Sequence, residues 1–232
     1  MKISIMQPYF LPYLSYWQLI YAADLFIIFD DVNFIKKGFI NRNTILVKGK
    51  PYRFSLELNQ SSQNKKINEI DVVNNFKKLT KTIELNYKKT PNFEVIFPIL
   101  LDIFDQPERN LAKFIGYSLR KISQYLNIKT HFIYSSDIKK NKNLKGQNKI
   151  IEICQKTNAK SYINAIGGKK LYNTNLFQKK KIDLFFLKTN NVEYNQFGKK
   201  FVPNLSILDM LMFKDKIQVQ SMLKNYELIK TE

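Results

Sequence analysis

The strongest constraint on the fold comes from the first thirty residues. A short apolar segment at residues 3–6 is followed by a loop with two prolines, a helical spacing of apolar residues over 14–21 and an apolar run at 25–29. Strand, loop, helix and strand in this order are typical of a βαβ unit. The second run shows no polar alternation, which indicates a strand buried on both faces of a parallel sheet.

The same alternation returns in the second half of the chain. Strand patterns cover residues 131–134, 161–164 and 184–187, and helical patterns cover 148–156, 171–177, 205–213 and 219–223. Residues 44–47 and 52–58, on either side of Lys48-Gly49-Lys50-Pro51, predict a hairpin, and three helical patterns lie within a lobe at about 69–127. We therefore predict an α/β fold, in which a mainly parallel sheet is flanked by helices, with a central helical insertion and a short hairpin. We expect one domain spanning residues 1–232.

Rare residue types exclude several classes of protein. Cys154 is the only cysteine and His131 the only histidine, which excludes an intrachain disulfide and a cysteine-based metal site. The seven glycines form neither a dinucleotide-binding motif nor a P-loop. No apolar run approaches the roughly 20 residues of a membrane-spanning helix, so we expect no membrane span. A single cysteine favours a reducing compartment, and we expect the cytoplasm.

The net charge and the residue types that carry it favour different interpretations. The formal net charge is +19, but only four of the 38 basic residues are arginines, and the lysines form short scattered clusters such as Lys65-Lys66 and Lys88-Lys89. Nucleic-acid-binding proteins usually concentrate arginine and aromatic residues in one patch. We therefore expect lysines on several faces, and this distribution disfavours a nucleic-acid partner. A non-catalytic basic protein that binds RNA or another anionic polymer stays open as the alternative.

Polar residues or glycine follow four of the predicted strands, in this order: Gln7; Asp30 and Asp31; Ser135 and Ser136; Asn164 and Gly167. The carboxyl ends of parallel strands meet at one edge of a sheet, so we expect these residues to share one pocket. Carboxylates in such a place can hold Mg²⁺ or a ribose hydroxyl. A serine-rich loop that enters a helix can bind phosphate.

Four side chains outside the strand ends are also candidates for binding. Arg42, next to Asn41, is an isolated arginine in a lysine-rich chain, and its guanidinium offers a fork for phosphate or carboxylate. Tyr9 and Tyr13 lie in the loop after the first strand. Their rings offer surfaces on which a base or a sugar can stack.

The aromatic segment before the helical pattern at 205–213 contains two more candidates. Ser206 and Asp209 match a helix capping box, which gives them a structural explanation. Gln196 and Asn204 are not needed for that box. We predict that the segment folds back over the pocket and that these two amides form hydrogen bonds with the substrate.

The chain resembles the WbqC-like protein family from one end to the other. The most specific motifs are the first and the last, Ile5-Met6-Gln7-Pro8-Tyr9-Phe10-Leu11-Pro12-Tyr13 and Phe201-Val202-Pro203-Asn204-Leu205-Ser206-Ile207-Leu208-Asp209. Between them, in the family's order, lie Asp30-Asp31-Val32, residues 36–43, Asn86-Tyr87, Ser135-Ser136 and residues 162–168. Ser15 departs from the pattern, because a glycine is expected there.

The resemblance implies a cytoplasmic bacterial protein of surface-polysaccharide (O-antigen) biosynthesis that transfers an acyl or aminoacyl group, such as glycine, to an amino sugar. We therefore expect a transferase whose small-molecule substrate is a nucleotide-linked sugar. Asp30 or Asp31 would act as the catalytic base or hold a metal, and Arg42 would bind a phosphate or carboxylate. The serines after the 131–134 strand would donate hydrogen bonds to phosphate. The sequence leaves the metal, the cofactor and the oligomeric state open.

Overall fold

Strands and helices alternate along most of the chain. The computed structural model describes residues 1–198 and 200–231. Its strands are β1 (Lys2–Met6), β2 (Leu25–Ile28), β3 (Arg42–Val47), β4 (Lys50–Ser55), β5 (Leu58–Asn59), β6 (Asp71–Val72), β7 (His131–Tyr134), β8 (Ser161–Ala165), β9 (Asp183–Thr189) and β10 (Tyr226–Lys230). Its α-helices are α1 (Leu14–Ala22), α2 (Lys77–Tyr87), α3 (Phe93–Asp105), α4 (Leu111–Tyr125), α5 (Gly146–Lys156), α6 (Thr174–Gln178), α7 (Ile207–Phe213) and α8 (Lys216–Leu223).

The central sheet has the strand order β10-β9-β8-β1-β2-β7. All neighbours in it are parallel except β10, which runs antiparallel to β9. The chain passes from β1 through β2 to β7 on one side, and then crosses to β8 and β9 on the other. This is the order of the doubly wound nucleotide-binding folds, in which ligands bind where the strand order reverses. Here that switch point lies between β1 and β8, and the predicted α/β class is confirmed.

The strand β2 is buried on both faces, as its unbroken apolar run predicts. Phe26 and Ile28 pack on one face of the sheet, in a core that includes residues of α1, α3, α4 and α7. Ile27 points to the opposite face, where it packs with residues of α5 and α6. All three side chains are fully buried. Because successive residues of a strand face opposite ways, helices cover both faces of the sheet.

The middle of the chain forms the predicted helical insertion, made of α2, α3 and α4. Its centre is an aromatic stack, in which the ring of Phe76 lies 4.6 Å from that of Phe104 and 5.5 Å from that of Phe114. Stacked aromatic pairs add to the free energy gained from burial. The stack joins the start of α2 to α3 and α4.

The predicted hairpin is also present, as β3 and β4. Its two-residue turn is Lys48-Gly49, whose φ angles are +51° and +72°. Two consecutive left-handed residues form the tight turn that suits the twist of paired strands. The second strand ends at Ser55 rather than at residue 58, because Leu58 pairs with Val72 in the small sheet of β5 and β6.

The sequence patterns miss the strand β10. The chain was expected to close with helices, but Tyr226–Lys230 pairs antiparallel with β9. The strand lies at an edge of the sheet and has charged residues at two of its five positions. Such edges lack the apolar run of a buried strand, because charges at an edge prevent unwanted pairing.

Two expectations concern the chain as a whole. Within residues 1–198 and 200–231, no helix has the length and apolar character needed to cross a membrane. The assignment of the whole chain to one domain stays a prediction.

Candidate functional site

The strand-end residues lie at one edge of the central sheet. Met6 pairs with Ile28, and Ile28 pairs with Tyr134, so β1, β2 and β7 end side by side. The parallel strand β8 ends on the other side of β1. The structure therefore places Gln7, Asp30, Ser136 and Asn164 at the same carboxyl edge. Their surroundings nevertheless differ sharply.

Asp30 is held by hydrogen bonds from the protein itself. Its carboxylate accepts from the backbone N–H of Ser136 at 2.9 Å, from the Ser136 hydroxyl at 2.6 Å and from the Asn68 amide at 3.2 Å. Only 3% of Asp30 is exposed. Buried carboxylates need such partners, because an unpaired charge is costly to bury. Asp30 thus fixes the turn after β7, and its catalytic role stays a prediction.

Asp31 forms a buried ion-pair cluster with two lysines. Its Oδ2 lies 2.9 Å from Lys140 Nζ and 3.0 Å from Lys149 Nζ, whose side chains are 4% and 10% exposed. Burial by itself raises the pKa of the Asp31 carboxyl, but the neighbouring Ser135 hydroxyl and the two ammonium groups together lower it below its usual value. A carboxylate with a lowered pKa is a weak base. The geometry favours a structural role for Asp31.

The two serines after β7 do not line the cleft at the ends of β8 and β9. The Ser136 hydroxyl is donated to Asp30. Ser135 is fully buried beside Asp31, and neither Ser135 Oγ nor Asp31 Oδ1 has a hydrogen bond of good geometry to another described residue. The predicted contact of these hydroxyls with phosphate is therefore disfavoured by their placement.

A buried amide lies near the end of β8, and two glycines follow the strand. Asn164 donates to the Tyr172 hydroxyl at 2.9 Å and accepts from the backbone N–H of Ala165 at 2.7 Å. A Cβ atom on Gly168 would lie 2.9 Å from Asn164 Nδ2, whereas one on Gly167 would meet nothing within 4 Å. Gly168 is thus explained by packing. Gly167 has no packing explanation and faces open space.

An open cleft of about 610 Å³ lies next to Gly167, at the carboxyl ends of β8 and β9. Its polar side chains include Ser15, Lys188, Thr189, Asn190, Asn191 and Asn204, and its rings are Tyr13, Tyr194 and Phe201. Among the described lining residues, Lys188 is the only one with a charged side chain. The cleft combines amides and aromatic rings beside the switch point, where doubly wound folds bind ligands.

The amino end of α1 forms one side of this cleft. Tyr13 precedes the helix, and its side chain does not cap the first turn. Leu14 and Ser15, the first two helical residues, line the cleft. The first backbone N–H groups of a helix have no partner inside the helix and carry a partial positive charge. This corner of the cleft therefore favours an anionic group.

The opposite wall is the segment 191–206, of which residue 199 lies outside the described residues, and it is tied to the buried carboxylate of Asp209. Asp209 accepts from the hydroxyls of Tyr87 at 2.6 Å and Tyr194 at 2.8 Å, and from the Gln196 amide at 3.0 Å. It is fully buried. Burial raises the pKa of the Asp209 carboxyl above its usual value, although the three hydrogen bonds oppose that rise. The three donors come from α2 and from the wall, so Asp209 holds the two together.

The predicted capping box is only half correct. Ser206 does cap α7, since its Oγ accepts from the backbone N–H of Leu208 at 3.2 Å. A capping box also needs the Asp209 side chain to accept from the backbone N–H of Ser206. That N–H is donated to the Thr44 carbonyl instead. This leaves Asp209 to bind Tyr87 and the wall.

Of the two amides predicted to contact substrate, only one is available. Gln196 donates to the carbonyl of Val202 and to Asp209, and its Oε1 accepts from the Val202 N–H at 2.8 Å. Both ends of that side chain bind within the wall, so the prediction for Gln196 is disfavoured. Asn204 is exposed, lines the cleft and has a φ of +58°. Asparagine is among the few residues that adopt this conformation readily.

A sequence model of the WbqC-like protein family matches residues 7–221 of the chain. This protein belongs to the WbqC-like family. The chain is also similar to the protein named Uncharacterized protein Rv1507c of Mycobacterium tuberculosis (strain ATCC 25618 / H37Rv). The two are 26% identical over 216 residues, which cover 90% of this chain and 92% of the relative. No solved structure matches the chain significantly.

An aromatic group lies beside the cleft of this WbqC-like protein. The ring of Tyr9 is 5.9 Å from that of Phe39, and the ring of Tyr13 is 5.8 Å from it. Burial raises the pKa of Tyr9 to about 12, with a smaller contribution from Tyr13. Arg42 Nε donates to the Gly38 carbonyl at 3.1 Å, one residue before Phe39.

The two remaining predicted residues, Asn41 and Gln7, lie outside the cleft. Asn41 Nδ2 donates to the Leu56 carbonyl at 2.9 Å. Gln7 is half-buried at the end of β1, and its backbone carbonyl accepts from the Tyr16 hydroxyl at 2.8 Å. Neither side chain lines the cleft. A substrate contact for these two residues stays a prediction.

The chemistry of the site does not include a cysteine nucleophile. Cys154 lies buried in α5, and burial raises the pKa of its thiol to about 12. His131 stands at the amino end of β7, away from the carboxyl edge. Among the described residues, no three His, Cys, Asp or Glu side chains are grouped so as to hold a metal ion.

Several residues of the site escape sequence reasoning. Asn190 and Asn191 follow β9 and line the cleft, and the rule applied to the other strand ends would have found them. Phe39 and the lysine pair around Asp31 carry no local signal. Their partners lie distant in sequence, and only the fold brings them together.

Proposed function

We propose that this WbqC-like protein is a transferase of bacterial surface-polysaccharide (O-antigen) biosynthesis, acting in the cytoplasm. In this proposal it transfers an acyl or aminoacyl group, such as glycine, to a nucleotide-linked amino sugar. The family resemblance suggests the reaction. The observation that carries the proposal is the cleft at the switch point between β1 and β8. It offers amides for sugar hydroxyls, rings for stacking and the amino end of α1 for a phosphate.

The chemistry of the proposed step balances without a further reactant. The neutral amino group of the sugar attacks the carbonyl carbon of the activated acyl donor. A nitrogen–carbon bond forms, the bond between that carbon and the donor's leaving group breaks, and the leaving group departs with its electron pair. The amine proton passes to solvent, because none of the described residues that line the cleft is a carboxylate.

The protein's part is then mainly to bind and orient the two reactants. Holding them in reactive geometry supplies a large share of the rate enhancement of such reactions. Gly167 and Asn204 are the residues we assign to the sugar. Gly167 lets a ligand approach the backbone, and the exposed Asn204 offers both a donor and an acceptor. Asp30 and Asp31 would support the edge of the sheet.

The test is a thermal-shift screen against nucleotide-linked amino sugars, with the corresponding neutral sugars as controls. A ligand at about 100 times its Kd adds roughly 2.7 kcal/mol of apparent stability. We expect a shift with at least one amino-sugar nucleotide and a smaller shift in the Asn204→Gly variant. Mass spectrometry of that nucleotide-sugar, incubated with protein and a panel of acyl donors, should then show the mass of one added acyl group.

The alternative is a non-catalytic basic protein that binds RNA or another anionic polymer. The net charge of +19 favours it. Filter binding at several salt concentrations separates the two proposals, because polyanion binding falls steeply with salt. Submicromolar, salt-sensitive RNA binding without any nucleotide-sugar shift would replace the transferase with this alternative.

A further inference from the structure

A loop beside the cleft exposes two large apolar side chains to solvent. Ile35 and Phe39, both in the loop between β2 and β3, are each 51% exposed. Large apolar side chains grouped on the surface commonly mark a binding site. Phe39 is in ring contact with Tyr9 and Tyr13, which are half-buried. The three rings of Phe39, Tyr9 and Tyr13, which we call the aromatic platform, present flat apolar surface to solvent.

A cation is fixed next to the aromatic platform. Arg42 Nε is bound to the Gly38 carbonyl, which orients the guanidinium. Among the described residues, Arg42 takes part in no ion pair. A guanidinium that is bound through Nε and has no ion-pair partner can bind a phosphate through two hydrogen bonds from its outer edge.

Tyr13 connects the aromatic platform to the cleft. Its ring contacts Phe39 on one side, and the same residue lines the cleft together with Ser15 and Asn204. The aromatic platform has an arginine beside its rings, whereas the cleft beyond Tyr13 adds amides and the amino end of α1 to its own rings. A ligand that spans both places needs a flat ring at one end, an anionic middle and a hydroxyl-rich group at the other end.

We propose that the aromatic platform binds the nucleobase of the nucleotide-sugar, while the cleft binds its sugar. This inference rests on the proposed function and fixes the direction in which the substrate lies. Every nucleobase has a flat π face that stacks on aromatic side chains. The phosphates then lie near Tyr13, between Arg42 and the amino end of α1. The sugar reaches Asn204 and Gly167.

The test compares a nucleotide-sugar with the nucleoside monophosphate that lacks the sugar, using isothermal titration. Phe39→Ala should weaken binding of both ligands about tenfold or more, and Phe39→Tyr should restore most of it. Asn204→Gly should weaken only the nucleotide-sugar. Ile217→Ala removes an even more exposed apolar side chain from α8, where 77% of Ile217 is exposed, and should change neither affinity.

The outcomes separate this inference from the proposed function. If Asn204→Gly weakens the monophosphate and Phe39→Ala leaves both ligands unaffected, the base lies in the cleft. The direction of binding is then overturned, while the transferase proposal stands. If the wild-type protein binds neither ligand, both the transferase proposal and this inference are wrong. Circular dichroism of each variant should match the wild type, since Phe39 and Asn204 are exposed.

Discussion

Polar residues follow β2 and β7 at one edge of the central sheet, and polar residues also follow β8 and β9 at that edge. The two groups differ in whether they face the protein or an open cleft. Around Asp30 and Asp31 the protein's own donors bind three of the four carboxylate oxygens, and two lysines are buried with them. After β9, Asn191 lines an open cleft, and Asn204, from the segment before α7, lines the same cleft. A polar residue after a strand therefore indicates a ligand site only where its hydrogen-bonding groups are unsatisfied and also open to a cleft.

The largest effect expected from this comparison is a loss of folding stability at the ion-pair cluster around Asp31. Asp31→Asn removes the only carboxylate paired with Lys140 and Lys149 in the described structure. Breaking a buried pair in this way costs about 3–5 kcal/mol, because uncompensated charges stay buried. Urea denaturation measures the loss.

Asp102→Asn is the matched control for that substitution. Asp102 also pairs with a lysine, but the side chains of Asp102 and Lys121 are 46% and 33% exposed. An exposed pair contributes about 0–1 kcal/mol. Equal losses in Asp31→Asn and Asp102→Asn would mean that the cluster around Asp31 is not the closed structure described above.

A second prediction concerns pH and contrasts Asp31 with Asp209. The lowered pKa of Asp31 contributes stability that is present above the ordinary value of about 3.9 and is lost as the pH falls through the folded value. The raised pKa of Asp209 contributes stability that is full below about 3.9 and is lost as the pH rises through the folded value.

Urea titrations of the wild type, Asp31→Asn and Asp209→Asn at several pH values between about 2 and 7 measure both trends. The difference in unfolding free energy between the wild type and Asp31→Asn should grow as the pH rises. The corresponding difference for Asp209→Asn should shrink. Parallel trends in the two variants would contradict the contrast.

Substitutions of the two glycines after β8 test whether the cleft beside Gly167 is free to admit a ligand. Gly168→Ala places a Cβ 2.9 Å from Asn164 Nδ2. Overpacking of this kind costs about 1–3 kcal/mol. Gly167→Ala meets open space, so its melting temperature should match the wild type while its affinity for the nucleotide-sugar falls. A Gly167→Ala variant that melts early would show that this glycine has a structural role.

The smallest stability effects are expected in the cleft wall. Ser206→Ala removes the cap of α7 and should cost about 0.5–2 kcal/mol with ligand affinity little changed. Asn204→Gly keeps the left-handed backbone accessible and should change stability by only a few tenths of a kcal/mol while binding weakens. Asn204→Ala is the poorer test, because alanine at a φ of +58° costs about 1 kcal/mol by itself. Normal binding by Asn204→Gly would remove Asn204 from the site.

Sequence reasoning found elements more reliably than contacts. The apolar runs of β1 and β2 and the helical spacing of α4 are local patterns, and the structure contains all three elements. The edge strand β10 was missed because its charged residues hide the strand pattern. At the site, Tyr13, Gly167 and Asn204 do line the cleft, whereas Gln196 binds inside the wall.

By itself, the sequence determined the α/β class, the helical insertion, the hairpin and the edge of the sheet at which polar residues gather. These follow from periodicity and from turn residues, which act over a few positions of the chain. Only the tertiary structure decided which polar groups are satisfied. Asp209 meets Tyr87 across 122 positions, and Asp31 meets Lys149 across 118. Such partners are chosen by how the elements pack, and a side chain's availability to a ligand depends on them.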